Sequence, residues 1–311
     1  MRTRFLAISF ILVIANIVSA QQVFDVSMAN IDRLCFNPAM VGSQEKTTFF
    51  VSNRSSQNIR YTIAQAETSV PQKKLGLGIM FESYQSLLET QNSIRMNVAY
   101  RLKTDKGFWQ MGLAPIVHNY RINTDNLNIR NQEDALIPSN NKNRWAMNFN
   151  AGALYKSEKL FASISVQNIS KAINSLSNQY VYLIEYQHYS LFTSYTFKLA
   201  NNLKIQPAIY AQHIPKIGNE ATVSGKLLND YFMLGFQYGL AQSWGVNAAL
   251  FFPPNKKSYQ MMLGYSFLKP ANNFGGNFSH EIFLSIYLGK RSENKNESLK
   301  DLQQYRSPIY F

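Results

Sequence analysis

Ser93-Ile94-Arg95-Met96-Asn97-Val98-Ala99-Tyr100-Arg101-Leu102 decides the fold. Its even positions are apolar and its odd positions polar or small, a period of two that places the two sets on opposite faces of an extended strand. The pattern recurs. Ile205 and Ile209 oppose Lys204, Gln206 and Gln212; Tyr259, Met261, Leu263, Tyr265 and Phe267 oppose Gln260, Met262, Gly264 and Ser266; Ile282, Leu284, Ile286 and Leu288 oppose Glu281, Phe283, Ser285 and Tyr287. Each segment runs for about ten residues, close to what a tilted strand needs to cross a bilayer and about twice the usual strand of a soluble sheet.

The two faces differ in kind. One is built of Asn, Gln, Ser, Gly, Arg and Lys with small Ala, and the other carries Tyr, Phe or Trp near one end of most segments. A soluble sandwich would turn its apolar face inward. A membrane barrel turns it to lipid, collects aromatics at both interfaces and keeps a polar lumen, which is the better match. Fourteen such segments fit between residues 46–54 and 280–289, an even number as single-chain bacterial barrels require. Short turns at Thr104-Asp105-Lys106-Gly107, Ser157-Glu158, Ala200-Asn201 and Asn229-Asp230 fall on one side, and the long connections 123–144, 169–187 and 268–279 on the other. Pro115 and Pro207 interrupt strand patterns, so a bulge or irregular hydrogen bonding is expected at each.

Composition agrees. Of 311 residues 46% are hydrophobic and only 16% charged, well below the roughly 25% of a soluble domain, and one cysteine allows no internal disulfide. Arg2 and Arg4 precede the apolar stretch 5–15, and Ser19-Ala20 closes it, so residues 1–20 read as a signal peptide cleaved after Ala20. Residues 21–45 do not alternate and form an N-terminal segment, periplasmic or tucked into the lumen. Residues 46–289 are the barrel and 290–311 a polar C-terminal tail. The fold class is all-β: a transmembrane antiparallel β-barrel of outer-membrane type with about 14 strands, its outer face in contact with outer-membrane lipid.

The residues offer little chemistry. Histidines 118, 188, 213 and 280 are scattered, with no metal-binding spacing. Leu75-Gly76-Leu77-Gly78 lacks the third glycine of a dinucleotide fingerprint and reads as lumenal positions in a strand. The nearest approaches to a nucleophile and base are Ser279 with His280 and Ser190 with His188, and both pairs are expected to point to opposite faces. Cys35, in Asp32-Arg33-Leu34-Cys35, lacks a lipid-attachment context and reads as a free thiol. No enzyme activity, catalytic residue, cofactor or metal is therefore expected. The net charge of +13 could suit nucleic acid, but an exported barrel meets none as a matter of course. Arg95, Arg101, Lys198 and Lys204 fall on the polar face, consistent with a positive lumen, with contact to anionic lipopolysaccharide, or with simple solvation.

Several stretches resemble one family. Phe36-Asn37-Pro38-Ala39-Met40-Val41-Gly42 is similar to the Asn-Pro-Ala-x-x-Gly element of the PorP/SprF-like outer-membrane proteins of the type IX secretion system of gliding and related bacteria. Lys74-Leu75-Gly76-Leu77-Gly78-Ile79, Ala99-Tyr100-Arg101-Leu102 and Ser279-His280-Glu281-Ile282 resemble its third strand, a strand end and its last strand. Phe161 to Asn168 resembles a strand that in relatives ends in Pro-Asn, and here Gln167 stands in the proline's place. The tail after Gly289 departs from relatives that stop near there. The resemblance implies a non-enzymatic accessory that assists secretion or surface attachment of a cargo protein with a type B C-terminal sorting domain, in contact with the periplasmic ring of the translocon. A passive porin or small-solute transporter is the alternative that a polar lumen leaves open.

Overall fold

The computed structural model describes residues 31–289 apart from 45, 57–58, 88, 123–142, 171–172, 176–181, 185, 200–201, 241–242, 253–258 and 270–277. The expected signal peptide, the turn Ala200-Asn201 and the tail 290–311 lie outside the described residues. The strands are β1 (Thr47–Ser56), β2 (Ile59–Val70), β3 (Leu75–Gln85), β4 (Glu89–Thr104), β5 (Gly107–Ile122), β6 (Asn143–Ser157), β7 (Leu160–Gln167), β8 (Ile173–Ser175), β9 (Tyr182–Ile184), β10 (His188–Tyr195), β11 (Phe197–Lys198), β12 (Lys204–Ile214), β13 (Gly218–Leu228), β14 (Phe232–Gly239), β15 (Trp244–Phe252), β16 (Tyr259–Lys269) and β17 (Ser279–Leu288). Successive strands pair antiparallel, β10 bridges β7 and β12, and β1 pairs with β17 from Thr47↔Leu288 to Ser55↔His280. With β10 and β11 counted as one wall strand and the β8–β9 hairpin set apart, the result is a closed barrel of 14 strands. Closure removes sheet edges, the condition for strands to lie in hydrocarbon, where unpaired backbone groups cost several kcal/mol each.

The alternation has its physical origin in lipid. Met96, Val98, Leu113 and Ile282 stand outward at 58%, 46%, 64% and 61% exposure, while Asn97, Arg101 and Ser285 are buried within. Outward aromatics gather at both ends: Trp109 with Tyr155 and Tyr195 with Phe197 at the end of the tight turns, Trp244, Phe267 and Phe278 at the other. Ten positions separate Trp145 from Tyr155 on β6, about 26 Å along the barrel axis at about 3.4 Å per residue and a tilt near 40°, the height of an outer-membrane apolar band.

Two departures from the sequence reading have causes. The strand β4 runs for 16 residues, beyond Ser93 to Leu102, because Glu89-Thr90-Gln91 extends past the hydrocarbon and carries no apolar stripe. The β8–β9 hairpin in the connection 169–187 is too short to show a period. As expected, each proline disturbs its ladder, and it does so without shifting the register. β4 and β5 pair at Arg95↔Ile116 and again at Val98↔Leu113, skipping the pairs beside Pro115, and β12 pairs at Ser194↔Ala208 and again at Phe197↔Ile205, skipping those beside Pro207. The missing N–H thus produces irregular hydrogen bonding and no bulge.

The inner face is not uniformly polar, contrary to the sequence reading. Phe50, Ile63, Met80, Phe161, Phe192, Phe251, Met262 and Phe283 also point inward and form one buried cluster. These side chains are desolvated because the lumen is occupied by the protein's own chain.

Candidate functional site, a lumen closed by the N-terminal segment

Of the two places the sequence leaves for the N-terminal segment, residues 31–44 take the lumen. Two short 3-10 turns, Arg33–Cys35 and Pro38–Met40, organise it, and Ile31, Leu34, Cys35, Ala39, Met40 and Val41 are all buried in the cluster with the inward wall residues. Such a segment has few backbone hydrogen bonds of its own, and its buried peptide groups must be paired elsewhere. The wall supplies the partners. Arg95 Nη1 donates to Cys35 O (2.8 Å), Arg101 Nη2 to Gly42 O (2.7 Å), Gln110 Nε2 to Val41 O (2.6 Å) and Lys156 Nζ to Ser43 O (3.1 Å). Ser165 Oγ and Gln167 Nε2 donate to Phe36 O (2.6 and 2.8 Å), and the Gly42 N–H donates to Glu67 Oε2 (2.8 Å). The charged donors Arg95, Arg101 and Lys156 make their bonds stronger than the neutral ones, about 1.5–3 kcal/mol each against about 1 kcal/mol.

Asn37 fixes the register of segment and wall. Its Oδ1 accepts from the Ala39 N–H (2.8 Å), capping the second turn, and its Nδ2 donates to the carbonyls of Ala153 (3.3 Å) and Ile164 (3.0 Å) on β6 and β7. The approach requires glycine on the wall. A β-carbon at Gly112 would lie 2.4 Å from Ala39 N, and one at Gly76 would lie 2.0 Å from Val41 O. Gly42 adopts φ +66°, a left-handed conformation that glycine reaches without strain.

Polar groups inside the segment are also paired. Asp32 Oδ1 accepts from the Leu34 N–H (3.1 Å), and Asp32 Oδ2 accepts from the Cys35 thiol (3.2 Å). Burial pushes the Asp32 carboxyl up to about 6, against smaller opposing effects of its hydrogen bonds and of Arg95. Burial, followed by the nearby Asp32 charge, also raises the Cys35 thiol well above its ordinary range. Arg95 additionally pairs with Glu82 at 3.0 Å, and Arg54 with Glu281 at 2.8 Å.

The residues singled out in the sequence fall into place unevenly. Gly76, Gly78, Asn37, Arg101 and Gln167 converge on the segment; Gln167, the departure from the family pattern, is one of its holders. Lys204 faces inward, and Lys198, its register partner, shares that face at the exposed rim, where it pairs with Glu158. Ser279 and His280 point to opposite faces. His188 and Ser190 do not: two positions apart, they share the inner face, but the Ser190 hydroxyl bonds Ser165 Oγ (2.6 Å) and His188 Nδ1 bonds the Gln212 amide (2.9 Å). His118 is held by Ser93 and His213 by Asn219, and no group of three His, Cys, Asp or Glu able to hold a metal occurs among the described residues. Sequence reasoning missed Glu67, Gln110, Lys156 and Ser165, whose only signal is a polar residue on an inward position.

A plugged, closed, lipid-facing barrel of 14 antiparallel strands is an outer-membrane β-barrel, and solved structures agree on the fold. The chain is similar to "CymD monoaromatic hydrocarbon channel" (9% identity over 89% of this chain and 96% of that one, TM-score 0.52). It is also similar to the Pseudomonas putida toluene transporter TodX (8%, covering 88% and 96%, TM-score 0.51) and to a Pseudomonas aeruginosa FadL homologue (9%, covering 82% and 93%, TM-score 0.51). No curated protein sequence matches. The family model "Type IX secretion system membrane protein PorP/SprF" matches residues 18–286, most of the chain. The protein belongs to the PorP/SprF family.

Proposed function

We propose that this barrel is a non-enzymatic accessory of the type IX secretion system that assists secretion or surface attachment of a cognate cargo with a type B C-terminal sorting domain, in contact with the periplasmic ring. One observation carries the reading beyond family membership: the lumen is filled by residues 31–44, whose carbonyls are held by Arg95, Arg101, Gln110, Lys156, Ser165 and Gln167. A barrel built to pass solutes freely has no use for a bound peptide across its bore, whereas a docking component needs a rigid scaffold and no pore. Deleting the gene is expected to abolish surface display of one or a few large secreted proteins while the remaining outer-membrane proteins are unchanged. Unaltered display of every sorting-domain cargo contradicts the proposal.

The second reading is a passive porin or small-solute transporter. It is favoured by the fold likeness to proteins described as a hydrocarbon channel and a toluene transporter, though at 8–9% identity that likeness extends to the fold alone. Faster uptake of small apolar solutes by cells carrying the protein, with cargo display intact in its absence, selects this reading.

A further inference from the structure

The lipid-facing wall opposite the bound segment is concave. Two rows of paired residues cross it. The first runs Met111, Ala153, Ile164, Leu191, Ala211, Ala221 from β5 to β13, each residue the register partner of the next, and half of it is alanine. Outward positions elsewhere on the barrel are dominated by Leu, Ile, Met, Phe and Tyr, as on the flanks here, where Met111 and Leu113 stand 59% and 64% exposed. Small residues on the floor and long ones at the side leave a groove of about 1160 Å³ inside the apolar band. That is larger than a pocket for one drug-sized molecule, roughly 300–1000 Å³.

The second row lies one step nearer the long-loop end and finishes polar. Val166 pairs with Tyr189, Tyr189 with His213, and His213 with Asn219. His213 Nδ1 and Asn219 Oδ1 are 2.6 Å apart, Tyr189 packs on the His213 ring at 6.1 Å, and the Tyr189 hydroxyl donates to Gln187. Lys216 stands exposed at the tip of the turn joining these two strands. An apolar groove within the hydrocarbon that ends in a basic, hydrogen-bonding rim matches one kind of occupant: acyl chains below, an anionic headgroup above. The long-loop end is the outer-leaflet end in such barrels. We propose that the groove holds a phosphorylated multi-acyl lipid of the outer leaflet, its chains along Ala153, Leu191 and Ala211 and its phosphate at Lys216 and His213.

The inference is independent of the cargo role. The test uses the full barrel, delipidated in detergent and titrated with lipid A or with phosphatidylethanolamine, with bound lipid counted by native mass spectrometry. The wild type is expected to retain one lipid A per barrel and to prefer it over phosphatidylethanolamine by about tenfold or more, two charge-assisted contacts being sufficient for that ratio. Filling the floor in Ala153→Phe/Ala211→Phe is expected to abolish retention of both lipids. Removing the rim in Lys216→Ala/His213→Ala is expected to erase the preference alone, and this exposed variant decides the matter if the filled barrel does not insert. Equal retention of the two lipids by the wild type, retention by the filled barrel, or a groove covered by a second copy of the chain in cross-linked dimers overturns the proposal.

Discussion

Asn37 occupies the space that a side chain at position 152 would fill: a β-carbon on Gly152 would lie 2.0 Å from Asn37 Oδ1. The contact ties a capped turn of the N-terminal segment to the β6–β7 seam through two backbone carbonyls. Segment and wall therefore fit in one register, and the single cysteine, buried two residues away, reports on it.

Asn37→Ala removes a cap and two wall hydrogen bonds together. The expected loss is about 1–3 kcal/mol of docking free energy, visible as roughly tenfold faster maleimide labelling of Cys35 in the folded barrel. Labelling at the wild-type rate shows that the segment is held elsewhere.

Gly152→Val sets a branched side chain against Asn37, and overpacking of this kind costs about 1–3 kcal/mol or more. Cys35 is expected to become reactive while the strands persist by circular dichroism. A protected Cys35 in this variant contradicts the tight approach at Gly152.

Docking of the segment depends on pH through Asp32. Because its carboxyl titrates at about 6 when docked and at 3.8 when free, the docked state binds more protons between those values. Through this group docking is strongest below that window and weakens as pH rises through it, with no further contribution from Asp32 above about 6. Cys35 protection, corrected for the labelling rate of a free thiol at each pH, is expected to fall between pH 4 and pH 6.5 more steeply in the wild type than in Asp32→Asn; equal slopes in the two contradict a role for Asp32.

Arg95→Ala leaves the Glu82 carboxylate without its cationic partner, with the Tyr61 hydroxyl still donating to it, and breaking a buried ion pair in this way typically costs about 3–5 kcal/mol. Neutralising the partner in Arg95→Ala/Glu82→Gln is expected to recover part of that loss in urea unfolding from lipid vesicles. An additive double variant removes the pair as a coupled unit.

Leu113→Arg places a charge on the lipid face near mid-strand and is expected to destabilise the inserted barrel by about 2–4 kcal/mol by the same measurement. No effect there means that Leu113 does not face hydrocarbon.

The barrel was legible in the sequence because lipid on one side and polar groups on the other impose a period of two on Ser93 to Leu102 and its counterparts. The site was legible only in pieces. Gly76, Gly78, Asn37, Arg101 and Gln167 stand out as short motifs, but what unites them is a segment of irregular backbone, and irregular backbone has no period to read. Its partners Gln110 and Lys156 look like any inward polar residue until the segment is in place. The same gap explains Phe283 and Phe251 on the inner face: a lumen filled by its own peptide is a core, and core positions accept large apolar side chains that a water-filled channel would not.

Single-barrel conductance in planar bilayers tests the central claim most directly. The intact protein is expected to be silent, and a version lacking residues 31–44 to give steady openings; steady open conductance from the intact protein, equal to that of the shortened one, contradicts a lumen closed by its own N-terminal segment.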